Sequence, residues 1–147
     1  MRVRPATPAD LPDILRMLGE DQATPSVELP PDAPCYRDAL EEMQASGTSA
    51  TYVAEREGRI VGTFMLTFIR HLMRQGSLVA QIEAVRVVTG MRGHGIGEAM
   101  MRWAIAEAGR RGCSRVELTS NSSRKDAHRF YERLGFRPTH VGMKLAL

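Results

Sequence analysis

The chain has 147 residues, 43% hydrophobic and 25% charged, the composition expected of one soluble globular domain over residues 1–147. Its formal charge is +3, unevenly divided: residues 1–85 carry a net −4 and residues 86–147 a net +7. No apolar stretch reaches a membrane span or a signal-peptide core, and the basic residues alternate with acids without an aromatic series, which argues against membrane and nucleic-acid partners.

"RVR" opens the chain as a short strand. Thr7 then fits a helix N-cap with Pro8 at the first helical position, and Leu11, Ile14, Leu15 and Leu18 share one face of an amphipathic helix. Prolines 25, 30, 31 and 34 make residues 24–34 an ordered loop. Residues 36–46 read as a second helix stopped by Gly47. The runs 51–57 and 60–69 are two strands joined as a hairpin across Gly58 and Arg59. The near-continuous apolar run 79–88 reads as a strand covered on both faces.

A helix from about Gly95 to Arg111 follows, with Ile96, Met100, Trp103 and Ala104 at helical spacing. Residues 115–120 form a strand. Ser123 and Asp126 fit a capping box for one more helix, which Gly135 stops. Residues 136–147 close the chain as a last strand or pair of strands. The order β-α-α-β-β-β-α-β-α-β predicts an α/β fold.

The stretch "RGHGIG", residues 92–97, is the most informative. A dinucleotide fingerprint needs glycine where Glu98 stands, and a Walker A loop needs Lys-Ser/Thr where Ile96 and Gly97 stand. Both fail on residue identity. Glycines at 93, 95 and 97 nevertheless leave backbone N–H groups unobstructed at a helix N-terminus, where the helix dipole favours an anion. Arg92 adds a charge at the rim, so the expected guest is a phosphate or pyrophosphate. The competing explanation is a tight strand-to-helix turn and nothing more.

A hydrophobic strand followed by Arg-x-x-Gly-x-Gly (Arg92, Gly95, Gly97) opening a helix resembles the acetyl-CoA motif of the GNAT superfamily of N-acetyltransferases. The later "TSN" and "DAHRFYERLGF" resemble the second half of that signature, and the ending is similar to the aminoalkylphosphonate N-acetyltransferase branch. The resemblance implies a mixed, mostly antiparallel central sheet flanked by helices. It also implies acetyl-CoA as acyl donor, with its pantetheine arm paired to the backbone of Val85 and Val87 like an added strand. Its pyrophosphate would rest on Arg92, Gly93, His94, Gly95, Ile96 and Gly97, with Asn121 reaching the cofactor arm and Tyr131 facing the thioester sulfur. The loop after Asn121 is longer than in many members.

Acetyl transfer to an amine needs a neutral nucleophile. A lysine-like amine, with a pKa near 10.4, costs about 4.6 kcal/mol to deprotonate at pH 7. Glu83, which interrupts an apolar strand, is the candidate base, acting through water. The bland alternatives are an exposed strand-end glutamate or a partner of Arg86. A thiol with a pKa near 8.5 leaves as thiolate only about 2 kcal/mol uphill, so Tyr131 is expected to serve as a hydrogen-bond donor. Packing beside Phe130 and Leu134 is the alternative for that ring.

His128 is a second candidate base, although a surface histidine is the plainer reading. His71, His94 and His140 have no metal-ligand spacing, so no metal is expected. Cys35 and Cys113 lie far apart without a CxxC pattern, which points to free thiols, a reducing compartment and the cytoplasm. The acidic residues between Glu20 and Glu42 suggest a polyamine or protein amine as acceptor, against the basic pocket a phosphonate would want. A small-molecule amine is favoured over a protein amine, the oligomeric state is left open with a homodimer among the outcomes, and the rival function is a non-catalytic acyl-CoA-binding sensor.

Overall fold

The computed structural model describes residues 1–20 and 29–147. These form two compact units, Met1–Glu117 and Leu118–Leu147. Five strands make one sheet in chain order: β1 (Arg2–Pro5), β2 (Ser49–Arg56), β3 (Arg59–Arg70), β4 (Leu78–Val87) and β5 (Cys113–Leu118). Strands β1 to β4 are antiparallel neighbours. The longer helices are α1 (Leu11–Gly19), α2 (Pro34–Ser46), α3 (Ile96–Arg110) and α4 (Lys125–Arg133). Helix α3 supplies the long crossover that a parallel β4–β5 pair requires, and the sheet is mixed. Among the described residues, no helix is long and apolar enough to cross a membrane.

Local chemistry explains most of the boundaries. Gly47 adopts φ +65° after α2 and ends it in the left-handed region. The β2–β3 hairpin turns on Glu57 (φ +53°) and Gly58 (φ +73°), one residue earlier than the expected Gly58–Arg59. Two consecutive positive φ values match the twist of the flanking strands, and Arg59 is thereby released to begin β3. The expected loop at 24–34 lies partly outside the described residues. Within the described part, Pro34 is already the first residue of α2, where its missing N–H costs nothing.

The register sorts the sheet into two faces. Tyr52, Phe64, Leu66 and Ile82 lie on one, because directly opposed residues share a face: Tyr52 faces Phe64, and Leu66 faces Ile82. Helix α3 packs there. The Trp103 ring is 4.9 Å from Tyr52 and 6.0 Å from Phe64, and a Cβ added to Gly62 would come within 2.6 Å of the Met100 sulfur. On the other face Val53 joins Ala6, Ile14 and Leu40, so α1 and α2 cover that side. The apolar run of β4 does not denote a strand buried on both faces throughout. Val79, Ala80 and Ile82 are buried, but Ala84 is exposed and Glu83 and Val85 are only half-buried.

Asp10 is a buried charge, 6% exposed, and both its carboxylate oxygens are hydrogen-bonded. Arg4 grips it with two bonds of 2.7 and 2.9 Å, while the Thr7 N–H and hydroxyl donate at 2.7 and 2.9 Å. The Arg4 guanidinium and these donors hold the carboxyl at about 2, below its ordinary 3.8. A depressed carboxylate pKa contributes stability above the unfolded value and loses it as pH falls through the folded one. We therefore expect unfolding free energy to drop by about 2 kcal/mol between pH 4 and pH 2 from this group. Asp10→Asn should lose a similar amount at pH 7 in urea titrations; an unchanged midpoint would contradict it.

The second unit holds α4 and the chain end. The expected Ser123–Asp126 capping box does not form. Ser123 instead donates through its N–H and hydroxyl to the side-chain oxygen of Asn121, at 2.9 and 2.8 Å, and Asp126 pairs with Arg129. A local Asn turn has outcompeted the helix cap for the same serine. At the other end Gly135 (φ +94°) stops α4 as expected, with Gly135 N–H bonded to Glu132 O at 2.9 Å and Phe136 N–H to Tyr131 O at 3.1 Å. The expected last strand is absent: residues 136–147 belong to no strand.

Candidate active site

The β4–α3 loop presents backbone, not side chains. Gly93 (φ +82°) and Gly95 (φ +76°) occupy the left-handed region, and a Cβ at either would meet nothing within 4 Å. The stereochemistry demands glycine, and the space in front of it is open. Ala99 N–H is bonded back to Gly95 O at 3.0 Å. The N–H groups of Ile96, Gly97 and Glu98 thus open α3 without helical partners, at the positive end of a 15-residue helix.

The loop also fixes its own side chains. His94 Nδ1–H donates to Arg92 O at 3.0 Å, since a carbonyl can only accept. The Arg92 Nε is 3.5 Å from Val87 O, too long for a strong bond, and Arg92 is exposed beside the loop. A cavity of ≈ 270 Å³ touches His94, Gly95, Ile96 and Ala99, and its remaining lining is Met1 and Arg56. Arg56, at the end of β2, thereby becomes a second cation near the helix start. Nothing in the sequence marks it, because its proximity depends on the fold of the hairpin.

Glu83 and Val85 are separated by a β-bulge. Thr63 opposes Arg86 while Met65 opposes Glu83, so Phe64 alone faces both Ala84 and Val85. Ala84 takes φ +52°, a left-handed conformation costing an L-residue about 1 kcal/mol. Strict alternation would put Glu83, Val85 and Val87 on one face. The extra residue instead places Glu83 with Arg86, Thr63 and Met65, on the face that α1 and α2 cover, and Val87 on the α3 face opposite Gly62. Glu83 is half-buried, and its Oε1 accepts a bond from Gln81 Nε2 at 3.2 Å.

The β4 edge beyond the bulge has a further property. Strand β5 is six residues long against ten for β4, and Ser114 near its start bonds Leu78 O at 3.3 Å. Running parallel from there, β5 matches only the first part of β4 and stops short of Val85 and Val87. One carbonyl in that stretch is engaged locally: Arg86 Nη1 donates to Val85 O at 2.9 Å.

In the second unit, Asn121 is exposed and its side-chain oxygen is committed to Ser123, which leaves the amide N–H groups as the part able to serve a ligand. His128 Nε2–H donates to Asn121 O at 2.9 Å, so this half-buried histidine braces the turn. Ser120, which sequence reading missed, has a buried hydroxyl oxygen with no hydrogen-bond partner among the described residues. Such a group is costly unless something else bonds it. The half-buried Tyr131 ring lies edge-on to Phe130 and Phe136, with centroids at 5.2 and 6.0 Å.

The acidic run reads differently once placed. Asp38, Glu41 and Glu42 lie exposed along α2, and Glu20 accepts a bond from the Thr89 hydroxyl at 2.5 Å. Asp21 and Glu28 lie outside the described residues. Cys35 and Cys113 are free thiols, and burial pushes the Cys113 thiol up.

Comparison with known proteins places these features in context. Residues 15–136 match the model of the Acetyltransferase (GNAT) family. Aminoalkylphosphonate N-acetyltransferase from Salmonella typhimurium (strain LT2) is 37% identical over 95 residues, 65% of this chain and 61% of that relative's length. Glucosamine 6-phosphate N-acetyltransferase from Trypanosoma brucei brucei is 32% identical over 149 residues, covering 100% of this chain and 96% of the other. The crystal structure of a transcriptional regulator from Bacillus halodurans C-125 superposes with a TM-score of 0.90 at 37% identity, over 99% of both chains.

Proposed function

The chain belongs to the acetyltransferase (GNAT) family, and from that premise we propose that residues 1–147 form one N-acetyltransferase domain that moves an acetyl group from acetyl-CoA to a small-molecule primary amine. The observation that carries this reading is the open, glycine-lined start of α3, with its unpartnered N–H groups and left-handed Gly93 and Gly95. Those residues fit a diphosphate, which needs several donors at close range and no intervening Cβ. Arg92, His94 and Arg56 supply the surrounding cationic and polar side chains. The β4 edge at Val85 and Val87 fits an extended amide-bearing arm, paired as an added strand. The family resemblance assigns Asn121 to the same arm, and its amide N–H groups are the part able to serve it.

When bound, acetyl-CoA supplies the thioester carbonyl that the amine attacks. The chain's own residues do the rest. Glu83 accepts the proton of the incoming ammonium, directly or through one water, and Gln81 holds its carboxylate in place. The bulge at Ala84 turns Glu83 toward the α1/α2 face, which becomes the acceptor side. Tyr131 donates a hydrogen bond from its hydroxyl to the departing thiolate, with its ring steadied by Phe130 and Phe136. We place the reaction in the cytoplasm.

The acceptor is a small amine that also carries a phosphate or phosphonate. Two of the curated relatives are named for acting on such a molecule, an aminoalkylphosphonate and glucosamine 6-phosphate. The acidic run that suggested a polyamine or protein amine is exposed where α2 places it, and Asp21 and Glu28 lie outside the described residues. Thiol release from acetyl-CoA should be tested across aminoalkylphosphonates, amino-sugar phosphates, polyamines, aminoglycosides, amino acids and peptides. Turnover is expected with the phosphorus-bearing amines first; turnover with peptides alone would contradict the acceptor class.

Glu83→Gln is expected to lower kcat/KM at neutral pH about 100-fold with little change in acetyl-CoA affinity. An unchanged kcat/KM would remove Glu83 as base.

The B. halodurans relative, described as a transcriptional regulator, favours one second reading: an acyl-CoA-binding sensor without turnover. Tight acetyl-CoA binding with no thiol release across the whole amine panel would select it.

A further inference from the structure

The β4 bulge gives Glu83 a neighbour of opposite charge on its own face. Arg86 lies three positions after Glu83, an odd spacing that strict alternation would turn to the other side of the sheet. The extra residue at Ala84 returns the two to one side. Glu83 opposes Met65 and Arg86 opposes Thr63, two positions apart along β3. That register sets their backbones roughly 7 Å apart on the face that α1 and α2 cover. Ala84 is held at φ +52° to achieve it, a strained conformation of the kind that collects at functional sites.

The two charged groups do not bond to each other. Among the described residues, Glu83 Oε1 takes its hydrogen bond from Gln81 Nε2 at 3.2 Å and not from Arg86. Arg86 Nη1 donates to Val85 O at 2.9 Å, which orients the plane of a half-buried guanidinium. A planar fork of N–H donors matches a phosphate or phosphonate, because it can bind two of the oxygens at once. The carboxylate beside it suits an ammonium. Together they present one charge of each sign to a molecule that carries both.

We infer that Arg86 is the residue that reads the phosphorus group of the acceptor, gripping its phosphate or phosphonate while Glu83 takes the amine at the other end. This rests on the acetyl-transfer reading, with Glu83 as base, and adds the feature that separates one class of amine from another. A polyamine would set a second ammonium against Arg86, a like-charge contact that disfavours it. A plain alkylamine gains nothing from the guanidinium. The preference is therefore a difference between acceptors, and it resides in one side chain.

The test compares matched acceptors: glucosamine 6-phosphate against glucosamine, and aminoethylphosphonate against ethylamine. kcat/KM is measured for the wild type, Arg86→Lys and Arg86→Ala, with a thermal melt of each. The wild type is expected to prefer the phosphorus-bearing member of each pair about 100-fold. Arg86→Lys, which keeps the charge and loses the fork, should retain about a tenfold preference, and Arg86→Ala almost none. In the wild type, methylphosphonate should inhibit competitively against the acceptor and not against acetyl-CoA, a readout that needs no variant. A preference that survives in both variants, or methylphosphonate that fails to compete with the acceptor, would overturn the role of Arg86 and leave acetyl transfer standing. No turnover of any acceptor by the wild type would overturn both.

Discussion

Gly95→Asp is expected to raise the dissociation constant for acetyl-CoA about 100-fold, some 3 kcal/mol, while leaving the folded chain intact. The two effects separate for a stereochemical reason. Gly95 sits at φ +76° and ψ −2°, a left-handed conformation that aspartate tolerates better than other non-glycine residues. A Cβ there meets nothing within 4 Å, so no neighbour must move. The new carboxylate, however, stands at the positive end of α3, where the diphosphate is expected to bind. It occupies the space, satisfies the N–H groups and repels the incoming anion. Calorimetric titration and a thermal melt measure both halves. Unchanged affinity would show that the loop is only a turn, and a collapsed melting temperature would show that the glycine is structural.

Tyr131→Phe should lower kcat about 100-fold with little change in the KM for acetyl-CoA, because the lost group acts on charge that develops only as the thiolate departs. A tyrosine with a pKa near 10 gives up its proton reluctantly, so its contribution is a donated hydrogen bond to the sulfur late in the reaction. The phenylalanine keeps the ring and its edge-on contacts with Phe130 and Phe136, and the bonds of Tyr131 O to Leu134 and Phe136 N–H are unaffected. An unchanged kcat would remove Tyr131 from the chemistry and leave it as a packing residue.

What could be read from the sequence was whatever is decided within a few residues. Gly47 and Gly135 stop their helices because only glycine takes the left-handed conformation there without strain. The turn at 92–97 is legible for the same reason, since Gly93 and Gly95 take left-handed conformations directly before α3. The β4 bulge is not legible. Ala84 at φ +52° has the identity of an ordinary strand residue, and only the register against β3 shows that Glu83 has changed face. Arg56 is invisible in the same way, because only the fold brings it beside the start of α3, and the burial of Ser120 has no local signature either.

Two misreadings share a cause. The Ser123–Asp126 pattern satisfies a capping box, but Asn121 offers the same serine a nearer acceptor. The alternating end of the chain satisfies a strand, but a strand also needs a neighbour, which a periodic pattern does not supply. Pattern states what a segment is built to do; the partner decides whether it does so.

The central claim is that the amides opening α3 hold the diphosphate of coenzyme A. The direct measurement is calorimetry of the wild-type protein with acetyl-CoA and, in parallel, with acetyl-pantetheine, which keeps the thioester arm and lacks the diphosphate. Micromolar binding of acetyl-CoA, with acetyl-pantetheine at least about 100-fold weaker, is the predicted result. Equal affinities for the two, or no heat from acetyl-CoA, would contradict it.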